Sequence, residues 1–283
     1  MVRVKALESN GGARESVERE ILTNSAKKAL QRGERIIGTM SGTLGSPEAI
    51  QLFAVAGLDY VIIDSEHSPY DIMTLRRLVM TARLSGIVPL IRVPDCEYHF
   101  IARALDTGAL GVMVPRVETR AAVERAVAAV KYPPVGERGC GGIDWQNDFI
   151  PTTVPDFIAR SNEETMIIIQ VETKPALERV DELVSVPGVD VALIGPVDFS
   201  ISLGVAAQFR SEVFMKGVER VIGACQKAGI AAGLHTPDPE MLAYWADRGM
   251  RALTCSSDMT LLKNAVMDLG KKLKELKQRK PGA

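Results

Sequence analysis

Four short apolar runs in this chain end on residues able to do chemistry. They are Tyr60-Val-Ile-Ile-Asp-Ser-Glu-His67, Pro89-Leu-Ile-Arg92, Met166-Ile-Ile-Ile-Gln-Val-Glu172 and Val191-Ala-Leu-Ile-Gly-Pro-Val-Asp198. Glu172 and Asp198 offer hard oxygen donors of the kind that hold Mg²⁺ or Mn²⁺ with water and a bidentate ligand. Either one alone is better read as a cap of the helix that follows it, but the two together in adjacent runs, with Gln170 beside one and Gly195-Pro196 before the other, favour a shared metal. Arg92 would be costly to bury unless it faces an anion, where it could stabilise a developing enolate oxygen. The structural alternative for Arg92 is an ion pair with Asp64 or Glu118. Asp64 and His67 lie three apart among turn residues, a spacing at which an aspartate can orient a histidine for proton transfer. Gly195-Pro-Val-Asp198 opens a helix whose free N–H groups at Val197 and Asp198 could hold a carboxylate; a plain tight turn is the competing reading.

Unbroken Val, Ile and Leu runs are the signature of parallel strands covered on both faces. Strand-like segments begin near Arg35, Asp59, Val88, Leu110, Met166, Asp190, Ile230 and Arg251, with helical patterns between them. Eight such pairs predict a (β/α)₈ barrel, in which the carboxyl ends of the strands build the site. The turn Met40-Ser-Gly-Thr-Leu-Gly-Ser46 lacks both GxGxxG and a P-loop lysine, which removes the best support for nucleotide binding. Ser16 to Arg32 reads as a helix ahead of the first strand, so residues 1–33 form an N-terminal extension and 34–283 a single barrel domain. Lys131 to Glu164 stands out as a long irregular stretch, the kind that serves as an active-site lid or a partner-binding element.

The 283 residues carry 46% hydrophobic and 24% charged side chains and a formal net charge of −1, which gives no reason to expect a nucleic-acid partner. Cys96, Cys140, Cys225 and Cys255 are scattered without a CxxC pair, as expected of reduced cytoplasmic thiols. No run approaches a membrane span, and the N-terminus lacks a signal-peptide pattern. His235 is a weaker pocket candidate, and no Gly-x-Ser-x-Gly elbow or strand-end lysine suggests covalent catalysis.

Five segments resemble the HpcH/HpaI aldolase family of metal-dependent pyruvate aldolases. They are Gly57-Leu-Asp-Tyr-Val-Ile-Ile-Asp-Ser-Glu-His67, Leu105-Asp-Thr-Gly-Ala-Leu-Gly-Val-Met-Val-Pro115, Tyr132-Pro-Pro-Val-Gly-Glu-Arg-Gly139, Gln170-Val-Glu-Thr173 and Ile194-Gly-Pro-Val-Asp-Phe-Ser200. The resemblance implies a barrel of paired subunits, commonly a homohexamer, that exchange C-terminal helices. It implies Glu172 and Asp198 as ligands of Mg²⁺ or Mn²⁺, with Co²⁺ as a substitute. It further implies Gln170, Gly195, Pro196, Val197 and Asp198 around a 2-oxo acid, Arg92 on the enolate oxygen, and Asp64 with His67 as the acid/base pair. The implied reaction is reversible cleavage of a 4-hydroxy-2-oxo acid to pyruvate and an aldehyde. Oxaloacetate decarboxylation, or enolate chemistry like that of macrophomate synthase, is the alternative on the same site, and a non-catalytic binding barrel a more distant one. The sequence departs from the family's usual pattern at Ser68, at Arg116 and across Cys140-Gly-Gly-Ile-Asp-Trp-Gln-Asn-Asp148. That last stretch is expected to meet the aldehyde half.

Overall fold

The computed structural model describes residues 23–278. In chain order the elements are α1 (Ser25–Gln31), β1 (Ile36–Ser41), α2 (Pro47–Val55), β2 (Tyr60–Asp64), α3 (Ile72–Ser85), β3 (Val88–Arg92), α4 (Tyr98–Asp106), β4 (Gly111–Val114), α5 (Arg120–Val130), α6 (Ile143–Gln146) and α7 (Val154–Glu164). There follow β5 (Met166–Val171), α8 (Lys174–Glu178), α9 (Val180–Val184), β6 (Val191–Ile194), α10 (Pro196–Ser202), α11 (Glu212–Ala228), β7 (Ala231–Thr236), α12 (Pro239–Ala246), β8 (Ala252–Ser257) and α13 (Asp258–Gln278). The eight strands close in sequence order, β1 pairing with both β2 and β8, and every pairing is parallel. This is the expected (β/α)₈ barrel.

Side chains alternate across each strand and build two cores. Val61, Ile63, Ile91, Val112, Val114, Ile167, Ile169, Val171, Ala192 and Ile194 face the helices. Their neighbours Tyr60, Ile62, Val88, Leu90, Met113, Met166, Ile168, Val191 and Leu193 fill the barrel interior. Most helices start on a side-chain cap. Asp71 accepts from Thr74 N and Ser211 from Phe214 N, and α11 leaves through Gly229 in the left-handed conformation that a tight exit requires.

Three expectations change. Of the predicted helix over Ser16 to Arg32, the described part begins at Ser25, capped by the Asn24 side chain; residues 16–22 lie outside the described residues. The single helix predicted over Pro175 to Leu183 is two short ones that break at Arg179. The stretch Lys131 to Glu164 is not simply irregular, because it contains α6 and α7, the latter capped by Thr153.

Chain direction also places that stretch away from the mouth. It leaves the end of α5 and enters the start of β5, so it begins and ends at the amino end of the strands. Trp145 Nε1 donates to Asp106 O at 2.9 Å, and Arg83 binds both Gln146 O (2.8 Å) and Asp148 (2.7 Å). Asp106 and Arg83 sit in the last turns of α4 and α3, far from where those helices leave the strands. Within one chain the segment after Arg138 therefore does not cover the mouth of its own barrel. Together α1 and α7 seal the floor, where Ala26, Leu30, Tyr132 and Phe157 join the interior core.

Candidate active site

The same alternation that fills the barrel carries the reactive side chains inward at its mouth. Asp64 follows Tyr60 and Ile62 on the inner face of β2, Arg92 follows Val88 and Leu90 on β3, and Gln170 follows Met166 and Ile168 on β5. Glu172, one step beyond β5, keeps the same parity. An apolar run that closes the core thus hands over to polar residues where the wall opens, which explains the charged strand ends.

Asp64 and Arg92 are direct register partners on β2 and β3. Arg92 Nε donates to Asp64 Oδ1 at 2.8 Å and Nη2 to Oδ2 at 2.7 Å, while Nη1 lies 3.2 Å from Glu66 Oε2. Of the two ion-pair partners considered for Arg92, the structure selects Asp64 and adds Glu66. Burial pushes the Asp64 carboxyl up, but Arg92 and the N–H groups of Glu66 and His67 outweigh it and hold the carboxyl below its ordinary range. Burial likewise opposes the charge on Arg92, and Asp64 more than restores it.

The expected pairing of Asp64 with the His67 ring is corrected. Asp64 Oδ1 accepts from the His67 backbone N–H at 3.4 Å, and the carboxylate beside the imidazole is Glu66, with Nε2 to Oε2 at 3.7 Å. The Asp64 carboxylate is turned to Arg92 and to the turn N–H groups of Glu66 and His67, and it is Glu66 that reaches the ring. The His67 side chain is 64% exposed at the rim, accessible to a substrate. Burial raises the carboxyl pKa of Glu66, with Asp64 adding to the effect and Arg92 opposing it.

Across the mouth the acids lack such compensation. Glu172 is 3% exposed; its Oε1 accepts from Arg116 N at 2.9 Å, and its Oε2 accepts from Gln170 Nε2. Burial pushes its carboxyl up to about 7, and the charges of Glu66 and Asp198 add to that shift despite Arg116 N–H and Arg92. Gln170 Oε1 is buried without a hydrogen-bond partner. A side chain at Gly195 would come within 2.6 Å of Glu172 Oε2 and 2.5 Å of Gln170 Nε2, so only glycine leaves this space open. Asp198 stands exposed in the first turn of α10, after Gly195 and the buried Pro196.

This donor set fits a hard divalent cation. A buried glutamate whose charge is opposed by neighbouring carboxylates is relieved by positive charge, and an unpartnered amide oxygen lies beside it. Among the described residues no three His, Cys, Asp or Glu side chains form a metal-binding group.

Sequence reasoning missed Glu66 beside Arg92, kept His235 only as a weak pocket candidate and noted Arg116 only as a departure. Glu66 lies two residues beyond Asp64, and His235 ends the inner face of β7 after Ala231 and Gly233. The two-residue period that identified Asp64 would have found both. Arg116 adopts a left-handed backbone (φ 53°) that aims its N–H at Glu172, a feature with no signal in residue type.

The model of the HpcH/HpaI aldolase/citrate lyase family matches residues 43–265. A hydroxypyruvate/pyruvate aldolase of Deinococcus radiodurans is 32% identical over 259 residues, covering 90% of this chain and 91% of the relative. A 5-keto-4-deoxy-D-glucarate aldolase of Escherichia coli is 30% identical over 256 residues, covering 90% and 99%. The crystal structure of an HpcH/HpaI aldolase from Desulfitobacterium hafniense superimposes with a TM-score of 0.84 at 32% identity, over 91% of this chain and 98% of that one. Closed barrel, inward acids and whole-length similarity lead to one assignment: the chain belongs to the HpcH/HpaI aldolase/citrate lyase family.

Proposed function

We propose that the protein is a divalent-metal-dependent carbon–carbon lyase that cleaves a 4-hydroxy-2-oxo acid reversibly to pyruvate and an aldehyde. The observation that carries this reading is the buried, uncompensated Glu172 carboxylate, with the charge of Asp198 acting on it and the Arg92 guanidinium at the same mouth. The names of the two relatives, both aldolases, support it. Glu172 and Asp198 would hold Mg²⁺ or Mn²⁺, with Co²⁺ as a substitute. Bound there, the ion supplies Lewis-acid charge to the keto and carboxylate oxygens of the 2-oxo acid.

The chain's own groups divide the remaining work. Gln170 lies beside the keto group, and the first-turn N–H groups of Val197 and Asp198, behind Gly195 and Pro196, receive the carboxylate. As the C3–C4 bond breaks, its electron pair moves onto C3 and the keto oxygen, and Arg92 stabilises the enolate oxygen. Asp64 positions Arg92 through the bidentate bond. The C4 hydroxyl proton leaves to the His67 imidazole, directly or through water, as the aldehyde carbonyl forms.

α13 supports an oligomer. Met259, Leu262, Val266, Leu269, Leu273 and Leu276 are exposed and recur at alternating spacings of three and four, a stripe that one helix cannot bury alone. We infer that a second copy covers it in a homo-oligomer, a hexamer with exchanged helices, each subunit being one barrel domain over 34–283 with an extension over 1–33. No helix among the described residues is long and apolar enough to cross a membrane, and a cytoplasmic location is part of the same proposal.

The test is pyruvate release from a panel of 4-hydroxy-2-oxo acids with Mg²⁺ or Mn²⁺, repeated with a chelator. Release that the chelator stops is expected. No pyruvate from any donor, with metal present, would sink the aldolase reading.

A further inference from the structure

The wall formed by β7, β8 and β1 holds a polar cluster that the reaction above leaves unused. His235, at the end of β7, is the register partner of Thr254 on β8. Its Nε2 lies 3.1 Å from Ser256 O. A carbonyl oxygen only accepts, so Nε2 carries the proton and Nδ1 presents a lone pair. The carbonyl itself is fixed. Ser256 adopts φ 62°, in the left-handed region, and Thr39 Oγ1 donates to Ser256 O at 3.2 Å and to Cys255 O at 2.8 Å. Tyr60 OH and Thr254 Oγ1 bond each other at 2.7 Å beneath. Ring orientation and tautomer are therefore both set by the fold.

Position makes this ring part of the mouth. β7 stands four strands from β3 in a ring of eight, directly opposite Arg92. The charges of Arg92 and Asp64 both act on the imidazole. His235 is a half-buried inner-face residue at the end of β7, and among the described residues no protein partner of Nδ1 is seen.

Resting on the aldolase reading, we propose that His235 Nδ1 accepts a hydrogen bond from a hydroxyl group on the aldehyde half of the substrate. It thereby selects hydroxylated aldehydes over plain ones. The chemistry leaves few other partners. A pyruvate enolate has no O–H or N–H to donate, and its oxygens are matched by Arg92, the first turn of α10 and the acid pair's cation. An acceptor whose donor nitrogen is already committed can serve only a donor, and with pyruvate as the nucleophile the hydroxyls lie on the aldehyde half. Burial holds the ring below its ordinary pKa, with the Arg92 charge adding to this and the Ser256 bond and Asp64 opposing it, so the lone pair persists near neutral pH.

The experiment uses the full chain with Mn²⁺ and measures addition of pyruvate to glycolaldehyde and to acetaldehyde, which differ by one hydroxyl. Deuterium uptake at C3 of pyruvate, which needs no aldehyde, reports whether each variant still assembles the enolate site. The wild type is expected to favour glycolaldehyde in kcat/KM, and His235→Leu to cut that ratio about tenfold, the worth of one hydrogen bond to a neutral acceptor. His235→Asn, which keeps an acceptor near the Nδ1 position, is expected to retain the preference within about threefold.

An unchanged ratio in a His235→Leu protein that still takes up deuterium would overturn the proposal. So would an absence of preference in the wild type. If the leucine variant takes up no deuterium, the asparagine variant decides, and loss of its preference counts against His235. A wild type that takes up no deuterium at all would instead refute the aldolase reading.

Discussion

At the floor of the barrel Lys27 Nζ meets Asp190 at 3.2 Å, Lys28 meets Glu164 at 2.9 Å, and Asn24 N–H donates to the same glutamate at 2.7 Å. Lys27 and Lys131 also both donate to Thr165 O at 3.0 Å. At the mouth, by contrast, Glu172 is buried among Glu66 and Asp198 with only amide donors on its oxygens. Both ends bury charge, but the floor matches each acid with a lysine, whereas the mouth leaves an acid excess beside one arginine. A charge cluster that is matched closes a fold, and one that is unmatched costs stability unless a ligand completes it. This matches the division of labour in barrel enzymes, with reactivity at the carboxyl ends of the strands and stability at the amino ends.

If the contrast holds, substitutions at the two ends should separate activity from stability. The largest loss is expected for Glu172→Gln, which should abolish tight Mn²⁺ binding by calorimetry and lower kcat by on the order of a thousandfold or more. Its melting temperature should hold or rise, since a buried repelling charge disappears. Full activity would place the metal elsewhere. Arg92→Ala should lower kcat by about a hundred- to a thousandfold. It should also destabilise by about 3 kcal/mol in urea, because Asp64 is left buried without its partner. Retained pyruvate enolisation would contradict its place on the enolate oxygen.

The floor should behave in the opposite way. Asp190→Ala removes the partner of Lys27 and the acceptor of Ile167 N, and is expected to cost about 3 kcal/mol of stability. Its kcat per folded molecule should stay within about twofold, as expected for a site far from the chemistry. A kcat loss as large as that of Arg92→Ala would break the distinction between the two ends.

The last prediction concerns pH. Burial, with the charge of Lys27 adding and that of Asp190 opposing, pulls the Lys131 ammonium down from 10.5 to about 8. Between those values the unfolded chain holds more protons than the folded one, so this group makes stability rise with pH across that window, by up to about 3 kcal/mol. Below pH 8 both states carry the proton and the full cost is present. Lys131→Met removes the term, so the difference in unfolding free energy between wild type and variant should drift upward from pH 8 to 10. A flat difference would show that the ammonium is better solvated than its surroundings indicate.

Much of the site was legible because strand positions repeat with period two. Asp64, Arg92, Gln170 and Glu172 could be singled out as polar ends of apolar runs, and the eight strands begin within one residue of where those runs place them. α7 was overlooked although Thr153, Pro155 and Asp156 form a helix start, because its apolar face is little more than Phe157 and Ile158. The Lys131 to Glu164 stretch looked like a lid by length alone, and only the direction of the chain placed it at the floor.

The sequence by itself determined the alternation of strands and helices, the barrel, and the acid, base and cation types available at the strand ends. These follow from local periodicity and capping, which act over a few residues. Only the tertiary structure decided that Arg92 grips Asp64 rather than Glu118, that Glu66 sits beside His67, and that His235 faces Arg92 with its tautomer fixed. Such pairings depend on which inner-face positions lie level once the eight strands close. That register is set by the whole ring of backbone hydrogen bonds, not by any segment within it.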